Sequence, residues 1–244
     1  MACSGMSRLT PFSRRCYLLG DVSGYGAAIR PQADALDIER PLLRGFLHAG
    51  ALLAAIAGTV VLMLRAESPT GYVGGAVFGT SLILLYSSST SYHRIFWETR
   101  LRRLGQRIDH AMIFVLIAGT YTPFCLNVSL AWGIPLLAVV WSLAGAGSIL
   151  KIAWPDAPKW LSVALYVGLG WIGVVGVSEV LDHYWGGPIV MLLVGGALYT
   201  LGGIVYALGR PNPSPRYFGY HEVFHVLVVA GSAVHYAAIA TYVV

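Results

Sequence analysis

The sequence predicts an all-α fold: a polytopic membrane protein built as a seven-transmembrane-helix bundle with its N-terminus in the cytoplasm. Three observations carry this reading: the composition, seven separated apolar stretches, and a lopsided placement of basic residues. Of 244 residues, 57% are hydrophobic and 11% charged, whereas about a quarter of the residues of a soluble domain are charged. Lipid, not water, must therefore face much of the surface.

A bilayer core about 30 Å thick needs around 20 mostly apolar residues in helical conformation. Stretches that qualify run from Arg44 to Leu64, Tyr72 to His93, Ile108 to Leu126, Trp132 to Ile152, Leu161 to Val180, Pro188 to Leu208, and Glu222 to Val243. Breaker-rich connectors part them, such as Ser68-Pro69-Thr70-Gly71 and Arg210-Pro211-Asn212-Pro213-Ser214-Pro215. Residues 1–40 mix Gly, Pro, Ser and Arg without a signal-peptide core, and read as an uncleaved, flexible cytoplasmic tail. Residues 41–244 then form one membrane domain.

Lys and Arg asymmetry sets orientation. With the N-terminus inside, fifteen of the sixteen basic residues fall in the inner segments and only Arg65 lies outside. The net charge of +5 is thus a topological signal in a multi-pass cell-membrane protein. Its partner is the lipid bilayer, and nucleic acid is not expected. Cys3, Cys16 and Cys125 form no CxxC pair, which excludes a legible disulfide framework or cysteine zinc ribbon.

Ionisable groups in or at the rim of a span are costly and point to function. The second span ends Ser89-Thr90-Ser91-Tyr92-His93, the third opens Ile108-Asp109-His110, and the seventh opens His221-Glu222-Val223-Phe224-His225. By parity these three ends share one side of the bilayer, whichever way the chain is inserted. His221 and His225 sit about 40° apart around a helix and about 6 Å along it, a spacing that lets two imidazoles grip one ion. His93 can supply a third ligand, leaving a fourth position for water. Imidazole ligands favour zinc over magnesium or calcium and leave iron and copper open. Ser89, on the His93 face, can position that water, and Asp109 can accept its proton. Spacing alone also allows histidines bonded to loop carbonyls and an aspartate serving a helix dipole. His110, about 100° round from Asp109, is expected to face elsewhere, and His235, ten residues past His225, is too far to share the ion. The five residues from His221 to His225 also match the HExxH pattern of zinc proteases, with Glu222 as base, although no later ligand motif follows.

These motifs, with Leu116-Ile117-Ala118-Gly119-Thr120-Tyr121-Thr122-Pro123 and His235-Tyr236, resemble the hemolysin III family and its relatives, the progestin and adipoQ receptors. The resemblance runs from about Glu39 to the end. It implies zinc on His93, His221 and His225, with Ser89 and Asp109 beside it. The first-span motif departs from the family's acidic residue, asparagine and Thr-His, showing Glu39, Arg44 and Leu47-His48 instead. Glu39 and His48 are therefore outer candidates, and the ligands are untouched. The resemblance implies a zinc-dependent hydrolase of a membrane lipid, amidase- or ceramidase-like. Membrane disruption through a pore and ligand-responsive signalling are the alternatives.

Overall fold

A computed structural model describes residues 43, 45–95, 99–176, 182–214 and 216–244. The tail assigned to residues 1–40, and with it Glu39, lies outside them, as does Arg44. Among the described residues, seven α-helices of 13 or more residues follow in chain order: α1 (Phe46–Arg65), α2 (Pro69–Arg94), α3 (Thr99–Leu126), α4 (Leu130–Ala153), α5 (Lys159–Trp171), α6 (Gly187–Leu208) and α7 (Tyr220–Tyr242). A short 3₁₀ turn, Ile172–Gly176, continues α5.

The starts and stops have local causes. The Ser68 hydroxyl accepts the Gly71 N–H at 2.9 Å and Pro69 opens α2, so one orphan donor is met and another is absent. Gly209, at φ 65°, closes α6 in the left-handed conformation that costs glycine least. The first turn of α7 is tied down by Glu222, whose carboxylate accepts the Gly219 N–H at 2.8 Å.

Six of the helices are long and apolar enough to cross a membrane; α5 belongs to a shorter apolar helix, Lys159–Val174. The expected fifth span to Val180 therefore changes character at Trp171, and residues 177–181 lie outside the described part. The third helix starts at Thr99, nine residues before the expected Ile108. Asp109 consequently lies inside α3 rather than at its N-terminus, which removes the helix-dipole explanation for it.

Neighbours in the chain pack as neighbours in space, and α7 returns to α1, so the helices close into a ring. The most enclosed span belongs to α3, which touches α2, α4, α5 and α7. Tight approaches use missing side chains: a Cβ on Gly74 of α2 would lie 2.6 Å from Pro123 Cα of α3. The exterior differs from that of a water-soluble protein, and polar groups join the apolar core. Leu53, Leu64, Ile149 and Leu208 are exposed, while His48, Ser89, Asp109, Glu222, His225 and His235 are buried. An apolar exterior around buried polar groups is what a bilayer selects.

Candidate metal centre

Four helices converge on the polar cluster. The last turns of α2 present Ser89 and His93 on one face, the first turns of α7 present His221 and His225, α3 supplies Asp109, and α1 supplies His48. One ring nitrogen from each of His93, His221 and His225 can be chosen so that all three lie within 4.8 Å of one another. The Nε2 atoms of His93 and His221 are 3.2 Å apart. Two imidazoles on one tetrahedral zinc, each bound at 2.0–2.1 Å, hold their nitrogens about 3.3 Å apart. The observed pair matches that spacing, although a shared proton would suit it too. The three side chains can therefore hold a metal ion.

His48 does more than its outer rank in the sequence suggested. Its ring lies flat on His225, with centroids 3.8 Å apart and planes 14° apart. Its Nδ1 is 2.7 Å from Ser89 Oγ, and Ser89 is in turn within hydrogen-bonding reach of Asp109. When Asp109 is ionised it can only accept, so Ser89 donates to it and receives the Nδ1–H of His48. The order is His48 to Ser89 to Asp109, with the His48 end stacked on His225.

His110 corrects an expectation. It lines the same cavity as Asp109, and its Nδ1 is 3.5 Å from Oδ2 of that carboxylate. Its Nδ1–H donates to the Gln106 carbonyl at 2.9 Å, which leaves Nε2 to accept the Tyr206 hydroxyl at 3.3 Å. The Tyr206 ring in turn stands 5.8 Å from that of His221. His235 lies deeper on α7 and is not one of the three, as its separation required. Glu222 is fully buried and caps its own helix, which gives the HExxH glutamate a structural task.

A cavity of about 130 Å³ opens on this cluster and is walled by His48, Ser89, Asp109, His221 and His225 among otherwise mainly apolar residues. A second, of about 170 Å³, reaches Cys125, Val128 and Trp132 at the far ends of α3 and α4. Both share Thr120, Tyr121, Gly170, Trp171, Gly196 and His235 as wall, so they are contiguous. From Asp109 to Cys125 the run along α3 is about 24 Å. Gly170 and Trp171 are exposed and also belong to the cavity wall.

Fold and site together define a multi-pass helical membrane protein with a buried three-histidine centre. Comparison with known proteins gives the family: residues 36–236 match the one described as Haemolysin-III related. The Hemolysin-3 homolog of Bacillus subtilis (strain 168) is 33% identical over 85% of this chain and 96% of its own length. Hemolysin-3 of Bacillus cereus is 31% identical over 84% and 93%. Heptahelical transmembrane protein 5 of Arabidopsis thaliana is 30% identical over 68% of this chain and 48% of its own length. The chain belongs to the hemolysin III family, related to the progestin and adipoQ receptors, and is a multi-pass protein of the cell membrane.

Proposed function

We propose that this protein is a zinc-dependent hydrolase of a membrane lipid, with an amide as the bond cleaved. The observation that carries it is the three-histidine cluster opening on a long, mainly apolar cavity beside an aspartate. His93, His221 and His225 hold the ion. Zinc bound there lowers the pKa of water and polarises a carbonyl. Asp109 takes a proton from the attacking water and delivers it to the leaving nitrogen, so the amide C–N bond gives a carboxylic acid and an amine. Ser89 orients Asp109 and is itself oriented by His48. The acyl chain lies along the two adjoining cavities and enters past α5. Their mainly apolar walls suit a chain better than an ion path, which favours hydrolysis over a pore. Turnover of labelled lipid amides and esters by pure protein, lost on chelation and restored by zinc, is the test; no turnover of any of them by zinc-loaded protein removes the reading.

His48 acts through its neighbours, and two substitutions separate its contacts. His48→Phe keeps a ring on His225 but loses the donor to Ser89; His48→Asn can keep a donor near the Nδ1 position but loses the stack. Outer partners of metal sites typically contribute 10- to 100-fold to affinity or activity. His48→Phe is expected to bind zinc near parental affinity and lose about tenfold in kcat, whereas His48→Asn loses zinc affinity. Chelator competition and turnover distinguish them, and identical behaviour of the two variants refutes the division of labour.

Seven spans with a cytoplasmic N-terminus complete the reading, with the metal centre on the cytoplasmic side. Fifteen inner basic residues against one support it. Reporter fusions are expected to place the segment from Arg94 to Arg107 inside and the residue after Val244 outside. A cytoplasmic C-terminal reporter would overturn the scheme.

A further inference from the structure

The first turns of α3 run ahead of its apolar stretch, since the helix begins at Thr99 and the stretch at Ile108. Arg103 and Arg107 stand there, about 40° apart around the axis and about 6 Å along it. Residues so placed are neighbours, and their guanidiniums can converge on one ligand. Arg103 is exposed and Arg107 half-buried. The Arg107 Nε is buried, so the stem of that side chain is packed on the protein, while its two terminal nitrogens stay accessible.

Among the described residues, neither arginine has an ion pair, a side-chain hydrogen bond or an aromatic ring beneath it. Asp109, two residues beyond Arg107, is buried about 160° round the helix, beside Ser89 and His110. Orienting the chain requires only that a positive charge stands on the right side of the bilayer. It does not require two aligned guanidiniums with nothing to neutralise them, one of them held by its stem.

An apolar strip runs beside the pair. Leu101, Leu104 and Ile108 are exposed at i, i+3 and i+7, and Leu104 lies about 60° from Arg107. Seven residues deeper than Ile108 the same face carries the half-buried Val115. Ala111 and Gly119 flank Val115 about 40° to either side. The Ala111 carbonyl accepts the Ser148 hydroxyl of α4, and a Cβ on Gly119 would strike Ser81 of α2. This face of α3 therefore looks out between α2 and α4, which both pack on α3 but not closely on each other.

Two unneutralised cations at the rim thus continue into hydrocarbon-compatible side chains within the membrane. A soluble anion matches only the first half. A phospholipid of net negative charge matches both: its phosphate oxygens suit the planar guanidinium forks, and its acyl chain covers Leu104, Ile108 and Val115. A zwitterionic lipid brings its own cation to the same place.

We propose that this face of α3, with Arg103 and Arg107 at its rim, docks one anionic phospholipid from the leaflet on the metal-centre side. The proposal needs neither metal nor turnover, and it holds for either insertion of the chain.

The experiment is native mass spectrometry of the purified full chain in detergent, titrated with phosphatidylglycerol or with phosphatidylcholine of identical acyl chains. One phosphatidylglycerol is expected to bind in clear preference, more weakly as salt rises. A basic residue near an anionic lipid contributes roughly fivefold, so Arg103→Gln with Arg107→Gln weakens that adduct about 30-fold. Arg210→Gln with Arg216→Gln removes the same charge from the exposed α6–α7 connection and keeps the parental affinity. Leu104→Ser weakens both lipids and preserves the headgroup preference. If the double variant at 103 and 107 does not fold, the exposed Arg103→Gln alone, with its fivefold loss, decides beside the headgroup comparison. Equal binding of the two lipids, parental affinity without the α3 arginines, or an equal loss in the α6–α7 control overturns the proposal. Displacement of the lipid by equimolar glycerol phosphate overturns it too, in favour of a soluble anion. None of these outcomes touches the hydrolase reading, which chelation and lipid-amide turnover test separately.

Discussion

Asp109→Asn is expected to keep its metal and lose about 10²- to 10⁴-fold in turnover, the usual contribution of a positioned general base. The substitution is nearly isosteric, and an asparagine carbonyl still accepts the Ser89 hydroxyl, so the His48 to Ser89 link can survive. What disappears is the ability to take a proton from water, a loss of about 3–5 kcal/mol in transition-state stabilisation. Glu222→Gln is the comparison variant. A glutamine carbonyl still accepts the Gly219 N–H that Glu222 now receives at 2.8 Å, so the start of α7 persists and activity stays within a few-fold of the parent. Elemental analysis and lipid-amide turnover on the two variants settle the assignment. An active Asp109→Asn beside a dead Glu222→Gln would return the base to the HExxH glutamate.

The histidine triad was legible in the sequence because helix geometry is local. Four residues of separation place His221 and His225 on one face, and counting spans brings His93 to the same end. His48 was undervalued because its value comes from contacts with Ser89, 41 residues away, and with His225 on the last helix. No short-range pattern encodes a stacked ring. The angle that sent His110 away from Asp109 was sound for a helix with one working face. However, α3 is packed on several sides, and the cavity receives both side chains. Hydropathy misplaced the start of α3 because it reports what lipid tolerates, whereas the helix itself runs on through the charged segment before Ile108. It also missed the change at Trp171, where the Tyr121 hydroxyl takes up the Gly170 carbonyl at 2.7 Å and the Gly173 N–H at 2.9 Å as the α-helix gives way to 3₁₀. The glycines at 168 and 170 hinted at that break, but their spacing equally suits helix packing.

His225→Ala is expected to empty the metal centre and to make thermal stability indifferent to chelator. The parent protein should carry about one zinc per chain on its three ligands. An ion that binds only the folded chain stabilises it by about 2.7 kcal/mol at a hundredfold excess over Kd and about 4.1 kcal/mol at a thousandfold. Chelation should therefore lower the parent's Tm clearly. The alanine variant is already lowered, because two losses combine: the ion, and the buried ring on which His48 stacks at 3.8 Å. Comparing variant with parent mixes these losses, so the decisive quantity is the difference that chelator makes within each protein. It should be large in the parent and absent in His225→Ala, His93→Ala and His221→Ala. It should remain in His235→Leu, whose ring takes no part in the triad. Full zinc content in His225→Ala, or a parent Tm unmoved by chelation, would refute a metal held by these three histidines.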